Sequence, residues 1–348
     1  MLENGQSVMG ERAASLRAGK ELSFAQKGLF FSALSGLIWA IASVFLLGQG
    51  ILREPYTRPE FWILGPLAAA GTHDFCGGIA CFIINCARGQ GMEVWRTFAS
   101  KVGRFCLLGA LFGSPLGMGC YLLGISLAGP AYVLPITSLF PAIASVLAFF
   151  FLKERISRRA WLGLFACIAG AFIINYAPPE SGPTEYFYLG MIFACISAFG
   201  WAMEGVLVTS AMDFVEPGVA LNVYQITSAC LYAFIIIPIA VTFTLPDEIS
   251  AAESLSALLH SSGTWLIVLA GVVGCIAYNF WYKALNMTGV SRGMALNITY
   301  ALWGVVLSAV FLDVEITTAL VLGALVIFCG MVLVIGNPKD IVNLRKLD

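Results

Sequence analysis

Three ionisable side chains sit where the chain otherwise carries no charge. His73 and Asp74 belong to "GTHDFCGG" (71–78), at the midpoint of an apolar run from Phe61 to Cys86. Glu204 falls just past the middle of a second run, 187–210. A charge at the centre of a bilayer costs about 2.5–3.5 kcal/mol on insertion scales, so each of these groups needs a reason. Ser197, Trp201 and Val208 lie at i−7, i−3 and i+4 from Glu204, on one helical face. A carboxylate beside an indole can receive a cation by charge pairing and cation–π attraction, and it can also carry a proton. Adjacent helical residues diverge by about 100°. One of His73 and Asp74 is therefore expected to face a central cavity and the other to bond a neighbouring helix. Their role is a substrate or proton contact, against the plainer reading of a polar latch between helices.

A membrane-embedded enzyme using His73 and Asp74 is the weaker alternative. Cys76, three residues on, could share a helix face with His73. Such chemistry needs an H-E-x-x-H zinc pair or a nucleophile with a positioned base. The chain has only two histidines, and the second, His260, falls in a loop. No catalytic residue, metal or cofactor is expected. A membrane channel is the remaining alternative.

Aromatic residues cluster near the same depth. Trp39, Trp201, Tyr121, Tyr278, Trp281 and Tyr300 fall near predicted midplane positions, with Asn297 close to Tyr300. Singly, each reads as packing or an interface anchor. As a set they suggest a cavity that grips a ring, an apolar body or a quaternary amine. Asn297, Thr137, Asn279 and Gln225 could direct hydrogen bonds. Pro135, Pro141 and Gly113–Ser114–Pro115 mark bendable helices.

The elements that must position these residues are membrane-spanning helices. Of the 348 residues, 59% are hydrophobic and 11% charged, and the mean hydropathy is +0.88. Soluble domains carry about 25% charged residues, so an integral membrane protein is the class that fits. A net charge of −1 implies no nucleic-acid partner. The ten cysteines all lie in or beside apolar runs without a C-x-x-C pair, and they read as small hydrophobes. Residues 1–27 mix both charge signs with no apolar core, unlike a signal peptide. They are expected to be a polar cytoplasmic segment, and 337–348 a cytoplasmic tail.

A span needs about 20 apolar residues. Ten runs qualify: 28–51, 61–86, 104–126, 129–152, 160–177, 187–210, 219–243, 264–284, 290–312 and 317–336. With the N-terminus inside, 17 of the 19 Lys and Arg fall on cytoplasmic segments, and only Arg53 and Arg58 fall outside. That asymmetry predicts both termini cytoplasmic. Arg104, Lys283 and Arg292 lie at helix ends, where they can snorkel.

The two halves repeat. "SGLIWA" (35–40) matches "SAFGWA" (197–202), making Trp39 and Trp201 mates. The stretch 128–157 matches 288–317 at a constant offset of 160, through Gly129/Gly289, Val146/Val306 and Phe151/Phe311. The offset continues through Gly163/Gly323 and Gly170/Gly330, and it pairs Tyr121 with Trp281. Five helices per half is an odd number, so the repeats (28–177 and 187–336) are expected to be inverted about an axis in the membrane plane. The expected fold is an all-α integral membrane protein of ten helices.

This plan resembles the drug/metabolite transporter superfamily, its EamA-type branch in particular. The resemblance rests on GPAY…P…P from Gly129, on "FLKERIS" (151–157) and "RAWLGLFACIAGAFII" (159–174), and on the second copy "FLDVEITTALVLGALVIFCGMVLVI" (311–335). It covers about 28–336; the second copy departs at Glu315, Ala295 and Ala301, where the first has Arg155 and two prolines. It implies a secondary carrier in a bacterial-type cytoplasmic membrane, moving a small metabolite such as an amino acid or amine without ATP. The absence of a P-loop motif agrees with that.

Overall fold

The computed structural model describes residues 23–24, 26–151, 157–175, 185–246, 249–297, 299–312 and 316–335. Most of the segment expected before residue 28, the tail after 336, and Lys153 to Ile156 lie outside the described residues.

Every regular element among them is a helix. Seven are long and apolar enough to cross a membrane: α1 (Gln26–Ile51), α2 (Leu64–Ala87), α4 (Gly103–Ala128), α5 (Pro130–Phe151), α7 (Phe187–Ala211), α8 (Pro217–Thr244) and α10 (Ser262–Thr288). Shorter apolar helices are α6 (Arg158–Asn175), α12 (Thr299–Phe311) and α13 (Thr318–Ile335), with α11 (Val290–Asn297) before α12. A helix satisfies its own backbone in hydrocarbon, which is why runs this apolar adopt it. The chain is thus a multi-pass integral membrane protein.

Two polar connections proved helical as well. The segment 87–103 holds α3 (Gly91–Phe98), whose Trp95 stacks on Phe98 and meets Phe82 edge-on. The 245–261 connection holds α9 (Ala251–Leu259), where the Ser250 hydroxyl accepts from the Glu253 amide at 3.4 Å. Gly129 and Gly289, matched at the 160 offset, both close a long helix with positive φ, 79° and 82°. A side chain would be strained there, so the repeated glycine marks a repeated sharp turn.

Helix α2 packs along α10 and α8, with Phe75, Ile79 and Ile83 exposed on its other face. Asn85 Nδ2 donates to the Gly218 carbonyl at 2.9 Å, and Asn222 Nδ2 to the Gly78 carbonyl at 3.0 Å. These bonds fix the α2–α8 contact where no water could replace them. The glycines around His73 act as close-packing positions: Cβ atoms built at Gly71 and Gly77 would lie 2.9 Å from Tyr232 Cβ and 2.6 Å from Gln225 Nε2.

Helices α6 and α13 pack along their length. A Cβ at Gly170 would lie 2.6 Å from the Gly323 carbonyl oxygen, and one at Gly330 would lie 2.6 Å from that of Gly163. The 160-offset glycines therefore meet reciprocally. Three spans carry π-helical turns, Ala42–Leu47, Phe112–Gly119 and Tyr232–Ile236. The second contains Pro115, which lacks an amide hydrogen and pushes the preceding carbonyls out of register.

Candidate functional site

Aromatic rings from five helices close on one point. Trp39 (α1) meets Trp201 (α7) edge-on at 6.1 Å and Tyr278 (α10) at 5.4 Å. Tyr278 lies 5.6 Å from Trp281. Phe140 (α5) stands edge-on to Trp201 at 6.1 Å and to Trp281 at 6.2 Å, and stacks on Tyr300 (α12) at 6.5 Å. Together with Ser35, Ala277 and Asn297 they line a cavity of about 30 Å³. That is space on the order of two waters, so the side chains nearly fill the centre.

The cavity has one polar corner. Ser35 Oγ donates to the Ala277 carbonyl at 2.8 Å, and Asn297 Nδ2 donates to Ser35 Oγ at 2.9 Å. The indole N–H groups of Trp201 and Trp281 are buried without a hydrogen-bond partner among the described residues. Such a group costs about 1–3 kcal/mol; that of Trp201 lies over the bare Cα of Gly117, where an added Cβ would be 2.7 Å from Nε1.

Of the ten residues singled out from sequence, six line the cavity: Trp39, Trp201, Tyr278, Trp281, Asn297 and Tyr300. Tyr121 stands behind it, 5.0 Å from Trp201 and 6.1 Å from Trp39. Phe140 and Ser35 were missed, although Phe140 is 160 residues before Tyr300 and the repeat could have found it. Tyr300 OH bonds Thr137 Oγ1 at 2.8 Å, so the repeat mates Thr137 and Asn297 both serve this region. Trp303 faces outward instead, 43% exposed. Asn279 lies away from the cavity and bonds its own turn, Nδ2 to the Cys275 carbonyl at 3.0 Å. Gln225 packs against Gly77 and Gly78, with neither amide atom partnered among the described residues.

Glu204 is fully buried behind the ring wall. Tyr282 OH donates to its Oε1 at 2.9 Å. Oε2 has no partner among the described residues and lies over the bare Cα of Gly113. A half-satisfied carboxyl in such a setting is a reserve of unused hydrogen-bonding capacity.

His73 and Asp74 are both buried and bonded to each other, Nδ1 to Oδ1 at 2.8 Å. Asp74 Oδ2 accepts from Ser114 Oγ of α4 at 2.8 Å and from Ser228 Oγ of α8. Tyr232 OH donates to the Ser114 carbonyl at 3.0 Å. Neither residue lines the cavity; Trp39 separates them from it, 5.9 Å edge-on from the imidazole. Backbone divergence of neighbours on a helix does not keep two side chains apart when both bend towards one polar pocket. The π-helical turn at Phe112–Gly119 touches both acidic sites, through Gly113 at Glu204 and Ser114 at Asp74.

Comparison with known proteins agrees with this architecture. A curated relative, protein LicB of Haemophilus influenzae, is 26% identical over 313 residues, 88% of this chain and 96% of LicB. A solved crystal structure superposes with a TM-score of 0.59 at 18% identity, covering 89% of this chain and 96% of the other, which shows a shared fold. The profile of the EamA-like transporter family matches residues 26–176 and 188–336. The chain therefore belongs to the EamA-like transporter family, whose members are membrane transporters of small molecules.

Proposed function

We propose that the protein is a secondary transporter of a small organic solute bearing an amine or alkylated ammonium group. It works by alternating access in a bacterial-type cytoplasmic membrane. The carrying observation is the cavity walled by Trp39, Phe140, Trp201, Tyr278, Trp281 and Tyr300. Those among the six rings that turn a face to the volume offer cation–π attraction of about 0.5–2 kcal/mol each. Asn297 and Ser35 supply one directional corner for a hydroxyl or carboxylate on the same solute.

Glu204 supports the reading electrostatically. Its carboxylate lies one turn beyond Trp201 on α7 and is held by Tyr282, the neighbour of the lining residue Trp281. In its ionised form the carboxylate favours a cation on the other side of the ring wall.

In this reading the chain forms ten spans in two inverted five-helix repeats, with both termini cytoplasmic. Support comes from the two family matches of similar length, the paired positive-φ glycines and the reciprocal glycine contacts of α6 and α13. The cavity draws its walls from both halves, as a midplane site between repeats requires. A cavity of about 30 Å³ admits a solute only when one half rocks away from the other, a movement that the π-helical turns allow.

Purified protein in proteoliposomes tests this. Labelled tetramethylammonium, the minimal probe of the class, should enter faster when the lumen is preloaded with the same cation. Equal entry with and without preload, across a panel of amines, contradicts the reading.

A further inference from the structure

The aromatic cavity leaves the His73–Asp74 pair without a part in gripping solute. The pair nevertheless has the geometry of a built base. Asp74 receives three donors on two oxygens, from His73, Ser114 and Ser228. With the carboxylate accepting, the imidazole is fixed as its Nδ1–H tautomer, and Nε2 keeps a free lone pair. Nε2 is fully buried and has no partner among the described residues. It points at Gly274 of α10, where an added Cβ would lie 2.6 Å away. The fold therefore keeps a bare backbone opposite the one unsatisfied atom of a buried base.

The geometry points to His73 Nε2 as the binding site of the coupling proton, with Asp74 as its positioning residue and counter-charge. This rests on the transporter reading above and adds the ion that drives it. Nε2 takes a proton from hydronium, leaving water, and the resulting imidazolium is neutralised by the Asp74 carboxylate at 2.8 Å. The pair alternates between net charge −1 and zero, and no bond other than N–H forms or breaks. Trp39 stands between this site and the cavity, in contact with His73, Tyr278 and Trp201. A solute that displaces Trp39 therefore changes the access of water to Nε2.

Among the described residues the surroundings supply no competing cation. α10 presents Tyr278 and the glycines Gly271 and Gly274, α8 presents Tyr224 and Tyr232 beside Ser228, and α4 presents Ser114. α1 presents Trp39, and Glu204 of α7 is the other acid within electrostatic reach of Asp74. The remaining neighbours of α2, helix α3 and the turn at Pro59–Phe61, meet it away from this midpoint, α3 at Phe82. Among the described residues, only a protonated His73 can offset the charge of Asp74 there.

Because the chain has two histidines, the test needs no ligand. Full-length His260→Gln, labelled with ¹⁵N-histidine in lipid, shows one imidazole. The expected spectrum at high pH is the Nδ1–H tautomer, with imidazolium appearing on acidification. A fixed Nε2–H tautomer, or a spectrum unchanged on acidification, overturns the proposal. The second arm follows proton movement with a pH dye during tetramethylammonium flux. Folded His73→Gln should lose at least tenfold of the proton movement per solute, and persistence of that movement overturns the proposal. If wild-type vesicles move no tetramethylammonium at all, the transporter reading has failed on that probe, and the ¹⁵N spectrum alone decides the proton site.

Discussion

Replacing Glu204 by Gln separates charge from shape at the buried acid. Tyr282 donates to Glu204 Oε1 at 2.9 Å, and a glutamine carbonyl accepts the same bond. A glutamine amide nitrogen would take the place of Oε2 against the bare Cα of Gly113. The variant should therefore fold, with a melting temperature close to that of the wild type. What it removes is the field behind Trp201 and Tyr282. Taking Glu204 as ionised and a cation on the order of 8 Å away, an effective dielectric of about 20 gives an attraction of about 2 kcal/mol. That corresponds to roughly 30-fold in affinity. Titration calorimetry of tetramethylammonium on detergent-purified protein would read it directly. A loss below about threefold refutes the reasoning, because it means that Glu204 is neutral when the solute binds or that the solute sits elsewhere. A loss shared equally by an uncharged probe of the same size refutes it too, since shape and not charge would then have changed.

Two packing predictions follow from glycine contacts. Gly113→Ala places a methyl 2.6 Å from Glu204 Cδ, so the carboxyl must move; the expected result is weaker tetramethylammonium binding with a stability loss of about 1–3 kcal/mol, read by calorimetry and thermal unfolding. Gly170→Val and Gly330→Val drive a side chain into the carbonyls of Gly323 and Gly163, each 2.6 Å from the added Cβ. Each should lower the melting temperature by several degrees while leaving solute affinity in the folded fraction unchanged, and an affinity loss without a melting shift would contradict their assignment as packing positions.

The aromatic wall was legible because hydrophobic span counting set the depth of each ring, and depth is most of what the cavity requires. Trp39 and Trp201 could be matched as repeat mates before their rings were known to meet at 6.1 Å. Phe140 escaped because a phenylalanine in an apolar run carries no signal of its own, and only its offset from Tyr300 marks it. The His73–Asp74 pair shows the opposite limit. Residue type announced chemistry, but helical geometry gave directions for Cβ atoms and not for the side chains beyond them. Two short hydroxyls on other helices, Ser114 and Ser228, drew the carboxylate round to face its neighbour's ring. Helix α3 was invisible for a simpler reason. Eight residues with only Val94 and Thr97 buried make too short an amphipathic pattern to stand out beside a 24-residue span.

The central claim is that the ring-walled cavity carries a small organic cation across the membrane. Counterflow of labelled tetramethylammonium in proteoliposomes, compared between wild type and Trp201→Ala, tests it most directly. The account predicts saturable uptake that rises several-fold with lumenal preloading and falls at least tenfold in Trp201→Ala. Uptake that grows linearly with concentration, ignores preloading and survives loss of the indole would contradict it.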